Sequence, residues 1–199
     1  MLSRVHVLRL LGFFSLSLLA GCAAASIESE KVPGYQITSD KILILEPGGM
    51  NYTPGTFNSF NRKFWDLLSL CGIGSAAEQL PNPDSMDGAE REKFQRVHAE
   101  FIRKFKPDVM QVSFKSMQQL QKFGAVRADT IRISYVLTLQ NWTGRQFWTS
   151  TVDLLPENIG QDDAPGSNRA DLLGAVLANS VFNRMKKDGL LPQCPDQTP

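Results

Sequence analysis

The feature of this sequence that most constrains its fold is a pair of alternating runs between Ile131 and Leu154. In the first run, every second residue is apolar, and these residues are Ile131, Ile133, Tyr135, Leu137 and Leu139. In the second run, Trp148, Val152 and Leu154 share one face. A period of two is typical of a strand with one buried face. Because Asn141-Trp142-Thr143-Gly144 separates the runs with a glycine-containing turn, they predict a β-hairpin.

Three other segments have apolar residues spaced by three and four, which is typical of amphipathic helices. The first extends from Phe57 to Cys71, and the third contains Leu172 to Met185 and is expected to end at Gly189. The second is expected to begin at the cap Asp87 and to stop at Pro107. Its apolar stripe consists of Phe94, Val97, Phe101, Ile102 and Phe105.

Shorter apolar runs predict further strands at 42–45, 76–80 and 109–114, the last with a possible continuation to Met117. The order is then strand, helix, short strand, helix, strand, hairpin, helix. This order predicts an α/β (α+β) fold, in which a single domain has one mixed β-sheet of about five strands with three helices packed on it.

The element order over residues 41–187 resembles that of small periplasmic α/β domains. Examples are the amino-terminal domain of the Tol translocation protein and the lipoprotein activators of penicillin-binding proteins. The resemblance implies an accessory role in the cell envelope. One departure counts against the activators, because they reach through the cell wall on a long disordered tether and this chain offers about a dozen residues.

The amino terminus combines Arg4 and Arg9 with an apolar stretch from Leu10 to Leu19 that is too short to span a bilayer of roughly 30 Å. Leu19-Ala20-Gly21-Cys22 follows and resembles the lipobox of bacterial lipoproteins. In that family the cysteine thiol is joined to diacylglycerol, and cleavage before the cysteine frees an amine that is acylated. The resemblance implies a signal peptide at 1–21 and lipid attachment at Cys22. The alternative is an ordinary secretory peptide cleaved at a small-residue site such as 23–25.

Residues 22–34 are predicted to form a lipidated tether, since 23–34 are small and polar and lack a helical or strand period. Such a coil would reach roughly 20 Å, so the periplasmic domain at 35–199 would lie close to its membrane. Ala23 replaces the Asp that retains enteric lipoproteins at the inner membrane. The resemblance therefore implies the periplasmic face of the outer membrane.

Lipidation of Cys22 would leave Cys71 and Cys194 as the two free thiols of an oxidising compartment. They are predicted to pair, and a bridge that closes a loop of this size is worth about 4 kcal/mol in the loop-entropy account. The alternative is two separate thiols. Cα atoms within about 7 Å of one another would favour the bridge.

The chemistry-bearing residues are too few for an evident active site. The chain has 21 basic and 20 acidic residues, and its sequence contains no basic stripe of the kind that binds nucleic acid. After cleavage His98 is the one remaining histidine, and it lies in a charged helix without a neighbouring nucleophile motif. The acidic pairs Asp84/Asp87 and Asp162/Asp163 lack the calcium-loop pattern. The sequence thus predicts no enzyme activity, no cofactor and no metal.

Trp142 stands at the predicted hairpin tip, where an indole is unexpected, and exposed aromatic residues often anchor protein partners. Phe147 should face opposite to Trp148, so it is predicted to join Trp142 on the outer surface. In the alternative, both residues pack under helices that cover the second face of the sheet.

Two functions follow from these observations. The first is a non-enzymatic accessory lipoprotein in envelope assembly or transport, with the membrane as one partner through Cys22 and an envelope protein as the other. The second is a small-ligand-binding or hydrolytic domain that uses the loop from Pro47 to Gly55 with Glu46 or Asp153. The second function requires a pocket that contains a buried carboxylate.

Overall fold

A computed structural model of the chain describes residues 24–46, 54–80, 86–120, 130–156, 169–192 and 194. The fold class is confirmed, because one mixed sheet carries three helices in the described residues. The elements in chain order are β1 (Ala25–Lys31), β2 (Lys41–Glu46), α1 (Pro54–Ser69), β3 (Gly74–Gln79), α2 (Gly88–Phe105), β4 (Asp108–Leu120), β5 (Thr130–Gln140), β6 (Gln146–Leu154) and α3 (Arg169–Lys187).

The six strands are arranged in the order β1-β6-β5-β4-β2-β3. Strand β2 is parallel to β3 and β4, whereas β4, β5, β6 and β1 are successively antiparallel. The predicted hairpin is present as β5 and β6. Its turn is held by the Asn141 side chain, whose Oδ1 accepts the backbone N–H groups of Thr143 and Arg145.

The main core lies between one face of the sheet and the helices α1 and α3. Its largest fully buried side chains include Phe60 and Phe64 of α1, Leu137 and Leu139 of β5, and Trp148 of β6. The periodicity of the sequence placed these residues on the inner faces of their elements. Burial of such apolar surface is the dominant favourable term in the folding of the domain.

The second face of the sheet carries a much smaller apolar cluster beneath α2. Leu43, Leu45 and Val109 are buried there, with Leu80 and Ile102 packed against them. Helix α2 itself has no buried residue. Asp87 caps the helix as predicted, Glu90 completes a capping box with it, and the helix ends before Pro107 as predicted. Within the described part of the chain, no helix combines the length and the apolar character needed to cross a membrane.

The prediction of a coil over residues 23–34 is wrong for Ala25–Lys31, which form β1 and pair along β6. Ala25 and Ile27 pack on the core, while the inward positions Ser29 and Lys31 are polar. Both bond to Asp188 just after α3, since the Ser29 hydroxyl donates to its carboxylate at 2.6 Å and the Lys31 ammonium donates to its carbonyl. The sheet therefore includes Ala25–Lys31, and the predicted domain boundary at residue 35 is also wrong. Residues 1–21 and Cys22 lie outside the described residues.

Cys71, directly after α1, and Cys194, beyond α3, form a disulfide with a Cα–Cα distance of 4.4 Å. This distance is within the limit of about 7 Å that the sequence analysis required. The bridge ties the carboxyl-terminal segment to the end of α1.

Candidate functional site

Aromatic and cationic side chains gather at the end of the sheet where β2 and β4 begin and where the β5–β6 hairpin turns. Asp108, the first residue of β4, pairs with Ile42 near the start of β2, and Val109 pairs with Gln140 next to the turn. Helix α2 also ends here. We call this region the aromatic–basic surface, and it consists of Phe101, Phe105, Trp142, Lys41, Lys104 and Lys106.

The three aromatic side chains of this surface are exposed, with an exposed fraction of 39% for Phe101, 42% for Phe105 and 44% for Trp142. The Phe101 and Phe105 rings are in contact, with centroids 4.8 Å apart. Lysines lie over the Phe105 and Trp142 rings. Lys41 Nζ and Lys104 Nζ lie 5.5 and 5.3 Å from the Phe105 centroid, and Lys106 Nζ lies 5.2 Å from the Trp142 centroid. These distances are within the range of cation–π contacts.

The end of α2 positions the lysines. Lys106 adopts a left-handed conformation with φ of 47°, and its amide donates to the Ile102 carbonyl at 2.7 Å. This cap turns the chain sharply into β4 and leaves the last helical turn at the edge of the sheet. Positive side chains there also complement the negative end of the helix dipole. The sequence predicts that Phe101 and Phe105 share the apolar stripe of α2 with Ile102. Of these three residues, only Ile102 packs against the sheet.

The three segments that meet here carry an excess of positive charge. Residues 39–41, 101–108 and 141–147 contain five cationic side chains, which are Lys41, Arg103, Lys104, Lys106 and Arg145. Their acidic residues are Asp40, which is exposed, and Asp108, which is buried. Because Asp108 is buried, the charges exposed on these segments are mainly positive.

Asp108 is 3% exposed and accepts hydrogen bonds from the Tyr35 side chain and the Ser39 backbone. Burial raises the pKa of its carboxyl group to about 6. Its Oδ2 atom has no hydrogen-bond partner among the described residues. Burial and the charge of Asp108 also raise the pKa of Tyr35.

The structure separates the two predicted partner-contact residues. Trp142 lies at the turn and is exposed, whereas Phe147 is 2% exposed, so its prediction as an outer residue is wrong. The Tyr35 ring stacks on Phe147 with centroids 3.5 Å apart, and Phe147 belongs to the main core, against which Tyr35 packs. Trp148 is also buried in the main core, and its indole N–H donates to Asp188 at 2.8 Å.

The residues of the predicted loop site are not brought together. Glu46 is half-buried at the end of β2, and burial raises its pKa to about 7. Asp153 is on the other face of the sheet in β6, which β4 and β5 separate from β2, and it accepts a hydrogen bond from the Ser134 hydroxyl at 2.6 Å. Residues 47–53, which make up most of the predicted loop, lie outside the described residues.

His98 has structural contacts, since its Nδ1 is 3.4 Å from Glu78 Oε2 and its ring stacks on Phe94. Across the described ranges, no three His, Cys, Asp or Glu side chains are grouped closely enough to hold a metal ion. Asp84 and the pair Asp162/Asp163 lie outside those ranges.

Comparison with known proteins finds no matching family model and no matching curated protein. Among solved structures, the PelC dodecamer from Paraburkholderia phytofirmans is 14% identical with a TM-score of 0.45, over 87% of this chain and 99% of that chain. A minor lipoprotein from Acinetobacter baumannii is 10% identical with a TM-score of 0.38, over 77% and 98%. Scores at this level do not decide what this chain does.

Proposed function

We propose that the chain is a lipoprotein anchored through Cys22 at the periplasmic face of the outer membrane, where it acts as a non-enzymatic accessory protein in envelope assembly or transport. Its partner is an envelope protein with an acidic, apolar segment that binds the aromatic–basic surface. The observation that carries this proposal is the exposed cluster of Phe101, Phe105 and Trp142 under three lysines.

The position of this surface supports a protein partner. Ala25 pairs with Leu154 at one end of β6, and the hairpin turn with Trp142 lies beyond the other end. At about 3.3 Å per residue, β6 alone separates the two ends by roughly 25 to 30 Å. An anchor at Cys22 would leave two residues before β1, a reach of about 10 Å. The anchored end would then face the membrane and the aromatic–basic surface would face away from it.

The chemistry of the surface indicates the kind of partner. Exposed tryptophan and phenylalanine rings supply the apolar contact area that dominates hot spots in protein interfaces. The lysines favour acidic groups around that contact and accelerate association with them. An acidic segment that also offers apolar side chains satisfies both requirements.

We expect Trp142→Ala to reduce partner capture at least 10-fold in the full-length protein while leaving its melting temperature within about 2 °C. The indole is exposed in the free protein, so its loss removes a binding contact and little packing. Crosslinking in intact cells, followed by quantitative mass spectrometry of the crosslinked partner, measures the capture. Charge reversal by Lys106→Glu should also weaken capture and reduce its dependence on salt.

Trp65→Ala is the matched control, because Trp65 of α1 is 52% exposed and lies outside the aromatic–basic surface. It should leave capture unchanged. Equal capture by the wild type and the Trp142 variant would contradict the proposal. A melting temperature lowered by several degrees would instead give Trp142 a role in packing.

A ligand-binding role of the loop from Pro47 to Gly55 is the second candidate, and the half-buried Glu46 carboxyl group with its pKa of about 7 favours it. A hydrolytic version would need a second catalytic group near Glu46. Asp153 does not supply it, because it lies on the other face of the sheet.

A further inference from the structure

A polar depression of about 320 Å³ lies on the second face of the sheet, across β4, β5, β6 and β1. All nine side chains that line it are charged or polar. The four charged residues are Glu28, Lys115, Arg132 and Asp153. A sheet face that only needed contact with water would not have to group charges of both signs around one cavity.

Two features show that the depression is organised. Ser134 and Asp153 pair directly across β5 and β6. Ser134 is 6% exposed, and its hydroxyl donates to the Asp153 carboxylate at 2.6 Å, so the position of that carboxylate is fixed. Arg132 lies two residues from Ser134 on the same face of β5. Its Nε–H is buried without a hydrogen-bond partner among the described residues. A buried donor of this kind is costly unless a ligand oxygen satisfies it.

The charges are divided across the depression. Lys115 and Arg132 belong to β4 and β5, whereas Asp153 and Glu28 belong to β6 and β1. A ligand that satisfies both sides has an anionic group at one end and a cationic group at the other. Arginine and lysine are suited to phosphate oxygens, and carboxylates are suited to an ammonium group.

The depression is also near the anchored end of the molecule. Ser26, which lines it, follows Ala25 at the start of β1, and Asp153 pairs with Ser26. Because the lining is polar throughout, the cavity is suited to a headgroup and not to acyl chains. Its orientation toward a membrane rests on the proposed anchoring at Cys22.

We propose that this depression binds a zwitterionic phosphate–ammonium group of the phosphoethanolamine type. Arg132 and Lys115 hold the phosphate, and Asp153 and Glu28 hold the ammonium group. The same chemistry occurs in a phospholipid headgroup and in a free phosphoethanolamine ester, and the test separates these two sources.

The test uses the purified full-length mature protein in a phosphate-free, non-ionic detergent. Isothermal titration calorimetry with glycerophosphoethanolamine measures the soluble ester, and native mass spectrometry with phosphatidylethanolamine or phosphatidylglycerol measures the lipid. We expect phosphatidylethanolamine to bind more tightly than phosphatidylglycerol. Arg132→Gln should weaken binding at least 10-fold, and Asp153→Asn should remove the preference for the ammonium-bearing headgroup. Arg96→Gln, at an exposed position on α2, is the control and should change neither result.

Binding of the ester without the lipid would support the site and assign it to a soluble ligand. Equal binding of both lipids, together with no effect of Arg132→Gln in a variant of unchanged melting temperature, would overturn the proposal. The calorimetric arm needs neither the lipid at Cys22 nor the partner of Trp142. Failure of the proposed function would therefore leave this result intact, and the reverse also holds.

Discussion

Replacement of both Cys71 and Cys194 by serine is expected to lower the free energy of unfolding by about 4 to 5 kcal/mol. The two residues are separated by 123 positions, so the disulfide restricts a long loop of the unfolded chain. It also holds Leu190 and Leu191, which are buried in the main core. For a domain of this size, the melting temperature should fall by about 10 to 20 °C.

Thermal unfolding followed by circular dichroism measures this effect, and the wild-type protein under reducing conditions serves as the control. Both samples should lose a similar amount of stability, since each lacks the bridge. The double serine variant avoids a free thiol that would form intermolecular disulfides. A loss below about 1 kcal/mol would contradict the assigned role of the bridge.

Gly174→Ala is expected to destabilise the protein by about 2 to 3 kcal/mol or more, although alanine is the better helix former. Gly174 is buried in α3 where this helix crosses α1. A Cβ atom added there would lie 2.3 Å from the Thr56 carbonyl oxygen and 2.7 Å from the Phe60 amide nitrogen. Both are backbone atoms of α1, so the two helices would have to move apart and the core between them would loosen.

Urea denaturation measures the change, with Gly88→Ala as the matched control. A Cβ atom at Gly88, the first residue of α2, would meet no atom within 4 Å. That variant should be as stable as the wild type or slightly more stable. If Gly174→Ala behaved in the same way, the close approach of α1 and α3 would be contradicted.

The sequence predicted the elements whose pattern is local. The hairpin β5–β6, the capped helix α2 and the helices α1 and α3 were all indicated by periodicity. Strand β1 was missed because its inward residues Ser29 and Lys31 are polar. Their partner is Asp188, more than 150 residues away, so no local pattern reveals that they are partly buried.

Other wrong predictions have a different cause. Apolar periodicity identifies the apolar face of a helix or strand, but it does not show which element covers that face. Phe101 and Phe105 lie on an apolar face of α2 that the described sheet leaves exposed, because the helix rests on β2 and the start of β4. Phe147 and Trp148 are adjacent and both belong to the main core, where the Tyr35 ring stacks on Phe147.

The candidate site was predictable only at Trp142. The lysines over the Phe105 and Trp142 rings come from the start of β2 and the end of α2. The left-handed cap at Lys106 has no signal in the sequence. The polar depression draws on four strands between Ser26 and Asp153, so its residues meet only through the sheet topology.

Attachment of fatty acyl chains to Cys22 is the central claim of this account, since the orientation of both surfaces depends on it. Metabolic labelling with a palmitate analogue tests it most directly, in cells that produce either the wild-type protein or Cys22→Ser. We expect label on the wild-type protein and none on the variant. Equal labelling of the two proteins, or no label on either, would contradict the account.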